Sequence, residues 1–435
     1  MHRKSWVLPL VPLALLLLPG ARAHAQSSAV AQFTVHAGSH ERVDVPVAAS
    51  LEGVPLHLAD GSLQLVEVTG GRSTPVASQI DAGNPDRLAW VLSGTTAAGA
   101  TREYELRVQP GAPAATGGSG AVKVSDDGDN LRVTVAGKPV LAYRYTPMPV
   151  PEGVREIFSS SGFIHPLQSP GGEVLSRIQA PDHWHHYGVW NPWTHTEFEG
   201  DTVDFWNIGS RQGRVRSAGV IERTSGDVFG SFRSLHEHIA GNEQRGEKIA
   251  LKEQWEVTVW NTDPARGGWV IDFASTLSPG TESPLKILAY RYQGFSLRAT
   301  EKWGDANSRL LTSEGMDKSN GNGTRARWID VNGVSGVPAG TSGVLFMTSP
   351  TNYNFPEQLR IWPTGQNRGV ENVFINFNPA QEQDWLLEPG RTYSLKYRMF
   401  VYDGSMTPEQ AERLWTDFAD PPRVDVRARM RVTGR

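Results

Sequence analysis

The chain has 435 residues, a formal net charge of −4 with both signs interspersed, and no cysteine. That balance leaves no electrostatic footprint for nucleic acid or an anionic membrane. The missing thiols leave packing alone to hold the fold and exclude disulfide stapling.

In chain order, the first segment reads as a secretory signal peptide over residues 1–25. His2, Arg3 and Lys4 form a basic head, VLPLVPLALLLLPG a short apolar core, and Ala23-His24-Ala25 a small-residue cleavage site before Gln26. The core holds two prolines and falls short of the ~20 apolar residues of a spanning helix. A lipid anchor has no cysteine to use. The expected location is periplasmic or secreted, with no membrane span after cleavage. About 410 residues remain, enough for two or three domains.

Residues 27–110 alternate in short runs such as QFTVHAG, RVDVPVAASL, LAWVLSG and REYELRVQP. Period two with Gly, Pro, Asn and Asp punctuation predicts strands and a small β-sandwich. His36, His40 and His57 are scattered in it as surface residues. Residues 111–120, GAPAATGGSG, read as a linker. From 121 to 425 strand-like runs continue nearly to the end, predicting a large antiparallel all-β domain. Asp126 to Asn130 supply the turn of its first hairpin. One helix closes the chain: Thr407 is the N-cap, Pro408 its first position and Gln410 completes a capping box before AERLWTDF. The basic tail RVDVRARMRVTGR reads as an exposed end.

The chemistry concentrates between Gly162 and Trp206, which hold five of the twelve histidines and four of the fourteen tryptophans. DHWHHY, between Pro181 and Gly188, is too short and too aromatic for a helix. As a strand it sets His183, His185 and Tyr187 on one side and Asp182, Trp184 and His186 on the other. Neutral imidazoles suit acid–base work on a sugar hydroxyl or glycosidic oxygen. The alternative use is a divalent metal at the histidine cluster, for which no third ligand is fixed, so no cofactor is assigned. Trp184, Tyr187, Trp190, Trp193 and Trp206 offer flat faces for stacking on sugar rings, and sandwich tryptophans are equally core residues.

FIHPLQSPGGEVL, DHWHHYGVW and DFW between 163 and 206 resemble the PmoA-like (DUF6807) family of secreted bacterial proteins, often labelled "methane oxygenase PmoA". YRYQGFSLRA, LTSEGMD, RARWIDVNG and SPTNYNFPEQLRIWP follow in the family's order. A particulate methane oxygenase needs membrane-spanning helices, and none follows the leader. The resemblance implies a galactose-mutarotase-like β-supersandwich. It also implies matched polar positions at His165, Glu173, His183, His186, Asp204, Arg291, Arg298, Glu314, Asp317, Arg325 and Arg360. Thr348-Ser349-Pro350 stands where the family reads DHP, removing one third ligand, and Gln293 interrupts the spacing that separates Arg291 from Arg298.

The expectation is therefore an exported carbohydrate-active enzyme, a hydrolase or lyase, acting on a glycan or uronate-containing saccharide. His183, His185 or His186 would be acid or base and Glu173 or Glu314 the carboxylate counterpart. Arg291 and Arg360 would anchor the substrate, with Arg298, Arg325, Asp204 and Asp317 as further polar contacts. The competing expectations are a non-catalytic glycan-binding or structural exported protein, and a metal-dependent oxidoreductase. The residues carry no signal for oligomeric state.

Overall fold

The computed structural model describes residues 28–56, 62–109, 120–242, 246–262 and 267–429. The signal peptide, His57 and nearly all of the 111–120 linker lie outside the described residues.

The fold is all-β, as the alternating runs require. In the N-terminal part the strands Ser28–His36, Ser62–Thr69, Arg72–Val76 and Thr101–Gln109 share a sheet. It faces a three-stranded sheet of Arg42–Ser50, Ser78–Asp81 and Asn84–Thr96. Alternate residues point inward, so Phe33, Val47, Leu65, Trp90, Tyr104 and Leu106 form one apolar core. The C-terminal tail is mostly exposed, as expected, and is also paired. Arg423–Ala428 is an edge strand antiparallel to Ser28–His36, pairing Ala31 with Ala428 and His36 with Arg423. Val424 packs on the N-terminal core.

The larger part is a sandwich of two eight-stranded antiparallel sheets. One carries Phe163–Leu167, Val189–Trp190, Phe295–Arg298 and Phe374–Asn378 among its strands. The other centres on Phe229–Asn242, Gly246–Trp260, Gly268–Pro279 and Tyr393–Asp403. Their inner faces meet through rings: Phe295 lies 4.5 Å from both Phe273 and Tyr397. The hairpin of Val122–Asp126 and Asn130–Val135 turns as expected, with Asp127 accepting the backbone N–H groups of Asp129 and Asn130.

The helix spans Pro408–Ala419 with both halves of the Thr407/Gln410 capping box in place. It lies against the second large sheet through Ala411 and Leu414, in a core that also takes Ala89 from the N-terminal sandwich. Beside this core Arg42 donates to Asp417 at 3.3 Å, both side chains 1% exposed. Removing one partner of a buried pair strands the other charge in low dielectric. Arg42→Ala should therefore lower unfolding stability by about 3–5 kcal/mol, read as a fall in the urea midpoint.

Candidate functional site

The strand His183–Tyr187 pairs with Ile178–Ala180, Ile178 opposite Tyr187 and Ala180 opposite His183. Two steps on one strand thus face four on the other, and the surplus residues bulge. The bulge overturns the expected alternation, which separated His186 from His183 and His185. All three imidazoles meet instead: His183 stacks on His186 at 4.6 Å, and His185 meets His186 edge-on at 4.8 Å.

Asp182 anchors this cluster. It accepts from Arg298 Nη2 at 2.9 and 3.1 Å and from Asn367 Nδ2 at 2.9 Å, and it holds His183 Nδ1 at 2.9 Å. Burial works to raise the Asp182 carboxyl, but the His183 hydrogen bond and the Arg298 charge outweigh it and hold it well below the usual carboxylate range. An ionised Asp182 accepts a hydrogen bond from the Nδ1–H of His183, and in that tautomer Nε2 carries the lone pair. Arg298 is fully buried, its guanidinium lying 4.4 Å over the Trp362 ring. The other face of the arrangement is aromatic, with His183 4.8 Å from Trp362 and His186 among Trp190, Trp362 and Phe374. Burial pushes the His185 imidazole down to about 4 and that of His186 well below its ordinary value. Both are neutral at pH 7.

A small cavity of about 30 Å³ lies behind, lined by His185, Trp190, Trp206 and Glu253 among others. It has room for water but not for a sugar ring. Glu253 is fully buried and accepts from His238 Nε2 (2.9 Å), Asn191 Nδ2 (2.8 Å) and Ser275 Oγ (2.5 Å). Burial favours its neutral form, yet the facing imidazoles hold its carboxyl well below the usual range. Tyr143 bonds His236 Nε2 at 2.6 Å alongside. Sequence reasoning missed this network. Its signal was present: His236 and His238 stand two apart on one strand and so on one face, and His236 is the register partner of Glu253.

The remaining expected residues are dispersed. Glu173 is ion-paired with Lys302 and takes the Gly336 N–H at 2.8 Å, while Glu314 is exposed beside Arg327 at 3.8 Å. Neither carboxylate joins the histidines: Glu173 faces Lys302, and Glu314 lies beside an Arg327 that is paired with Glu412. Trp190, Trp193 and Trp206 are at most 5% exposed. They wall the core, with Trp193 against Trp385, instead of offering open faces to a sugar. Tyr187 is buried on Phe163 and donates its hydroxyl to the Phe158 carbonyl, and Trp184 is half-buried. Asp204 caps the backbone of Trp206 and Asn207, Asp317 that of Ser319, and Arg325 holds the carbonyls of Asn354 and Pro356. These three serve loops. Arg360 donates to the Tyr292 hydroxyl (2.7 Å), which also accepts from Trp362 Nε1 (3.0 Å), and Arg291 lies over the Tyr290 and Tyr292 rings. His165 is bound to Ser176 Oγ at 2.9 Å. Asn367, Tyr292 and Trp362 complete the surroundings of Asp182 and His183, and none was anticipated.

Residues 130–416 match the family of unknown function DUF6807. The chain belongs to that family. No curated protein matches the chain. Among solved structures it is similar to heparan sulfate lyase HepC from Pedobacter heparinus, with 9% identity, 64% of this chain and 34% of that one covered, and a TM-score of 0.28. It thus spans about a third of that lyase's length. It is also similar to a GalM/aldose epimerase homologue from C. elegans (11% identity, 65% and 98% covered, TM-score 0.28). A galactose mutarotase related enzyme from Lactobacillus acidophilus gives 8% identity, 66% and 100% covered, and a TM-score of 0.22.

Among the described residues of this DUF6807 chain, no three His, Asp or Glu side chains form a metal-ligand set. Of the three imidazoles, His183 and His186 stack and His185 meets both edge-on. No described helix is long and apolar enough to cross a membrane.

The neutral histidines set a pH dependence. His185 and His165 are both depressed to about 4 by burial, so the unfolded chain binds protons first as pH falls from about 6.5 to about 4. Stability contributed by these rings is full above pH 6.5 and is lost through that window. Glu357 and Asp330, raised by burial to about 7 and about 6, act in the opposite sense. The measurable quantity is therefore a difference. Relative to the parent, His185→Gln should lose less stability between pH 6.5 and 4, followed by urea midpoints at each pH.

Proposed function

We propose that the chain is an exported carbohydrate-active enzyme that opens a glycosidic linkage beside a uronate, with His183 as the base. The observation that carries this reading is the Asp182–His183 pair. An ionised, doubly anchored carboxylate orients a part-exposed imidazole, and its Nε2 has no protein partner among the described residues. A carboxylate held in place by Arg298 and Asn367 fixes the ring's orientation and the nitrogen that faces substrate.

Hydrolysis by paired carboxyls requires two such groups flanking the linkage. Glu173 is paired with Lys302, and Glu314 is exposed at the edge of the Arg327–Glu412 ion pair, so the arrangement favours β-elimination. In that reaction His183 Nε2 takes the proton at C5 and the released electron pair forms the C4–C5 double bond. The C4–O bond then breaks, and the departing oxygen takes a proton from water. Arg360, aided by Arg291, would bind the uronate carboxylate; neither has a carboxylate partner among the described residues, and a guanidinium fork matches that group.

Purified protein incubated with uronate-containing oligosaccharides should give unsaturated products, seen by ultraviolet absorbance and mass spectrometry. His183→Ala and Asp182→Asn should each lower kcat at least ~100-fold, whereas Arg360→Gln should act chiefly on KM. Glycans bound but returned unchanged would replace the enzyme with a binding protein. Full turnover in His183→Ala would remove His183 as the base.

A further inference from the structure

An open cleft of about 540 Å³ is bordered by the strand Ile178–Ala180 that pairs with His183–Tyr187, and is walled by His165, Glu173, Arg177, Gln179, Thr300 and Lys302 among others. Its volume suits one or two sugar rings, unlike the cavity of about 30 Å³ at His185. The acid–base reading gives it no role.

The cations on its wall are already neutralised. Arg177 pairs with Glu371 at 2.5 Å and with Glu301 at 3.5 Å, and Lys302 pairs with Glu173. His165 adds no charge, since burial depresses it to about 4. What the cleft offers a ligand is an imidazole, an amide and a hydroxyl beside two cations outnumbered by three carboxylates. Such a wall suits hydroxyl groups, and an acidic sugar would have to displace a carboxylate already in place.

The wall at Arg360 is different in kind, since that guanidinium holds only Asn322, the Ile361 carbonyl and the Tyr292 hydroxyl. The two walls are joined through the catalytic pair. Arg177 binds the Glu371 side chain and Arg298 the Glu371 carbonyl, while Arg298 also holds Asp182. Trp362, against both Arg298 and His183, bonds the same Tyr292 hydroxyl as Arg360. In order of contact, His183 sits between a neutralised wall and a cationic one.

We propose that the cleft at His165 is a subsite for an uncharged sugar residue, so that the substrate is a mixed glycan in which a uronate held at Arg360 is linked to a neutral residue. This rests on the carbohydrate reading above and narrows it, excluding a homopolymer of uronates as the preferred substrate.

The test is calorimetric binding to the full chain carrying His183→Ala, so that the probes persist. The probes are aldobiuronic acids in which the neutral sugar is carried on O4 of glucuronate or galacturonate, the corresponding 4-linked diuronates, neutral disaccharides and free glucuronate. At least one aldobiuronic acid should bind tenfold or more tightly than its diuronate. His165→Gln should weaken that binding tenfold and leave free glucuronate unchanged, with thermal melting confirming the fold. Glu301→Gln, at an exposed position, releases part of the neutralisation of Arg177 and should raise diuronate affinity several-fold. Equal affinity for diuronate and aldobiuronic acid, or unchanged binding in both cleft variants, overturns the subsite. Turnover of the probes by the His183→Ala protein removes the base and leaves the subsite standing. Binding of no probe ends the carbohydrate reading and the subsite with it.

Discussion

The contact on which the site depends is the ion pair of Arg298 with Asp182. Arg298 is fully buried, and two of its nitrogens, Nε and Nη1, have no hydrogen-bond partner. A guanidinium so placed is costly unless a carboxylate and an aromatic face compensate it. Asp182 supplies the first and Trp362 the second. The carboxylate that neutralises Arg298 is then also the group that turns His183. Fixing one buried charge thereby fixes a tautomer and a ring orientation, and the bulge in His183–Tyr187 brings the other two imidazoles against that ring.

Beneath it, the inner face of the second sheet is not purely apolar. Glu253, His236 and His238 stand where a sandwich would ordinarily place aliphatic residues, and Asn191, Ser275 and Tyr143 supply their partners. Asn191 Oδ1, His236 Nδ1, His238 Nδ1 and Trp255 Nε1 are buried without a hydrogen bond to the described residues, His236 Nδ1 lying 3.9 Å from Glu253. Buried polar atoms of this kind are ordinarily met by internal water, and Glu253 and Trp255 line the small cavity. The core under the histidines is thus polar by construction.

Most of the architecture was legible. Period-two runs gave the strands, Thr407, Pro408 and Gln410 gave the helix start, and Asp126–Asn130 gave a hairpin. What a linear pattern could not carry was the pairing of distant strands. The bulge at 183–187 depends on how Ile178–Ala180 registers against it, and without that register alternation assigned His186 to the wrong side. Glu173 looked available because Lys302, which neutralises it, is brought in by a distant loop, and Glu314 because nothing in the linear pattern shows that it lies away from the histidines. The tryptophans were ambiguous for a simpler reason: a ring that stacks on sugar and a ring that fills a core have the same composition, and only burial separates them. His236, His238 and Glu253 could have been found by asking which polar residues keep inward phase on an otherwise apolar strand.

The pairing of Ser28–His36 with Arg423–Ala428 ties the two ends of the described chain into one sheet. Ala31 and Ala428 are separated by nearly the whole sequence, and such a closure is among the slowest a chain can make. The N-terminal sandwich therefore keeps an open sheet edge until the last strand has been synthesised. The tail acts as a clasp, and the order in which residues are delivered becomes part of how the fold is timed.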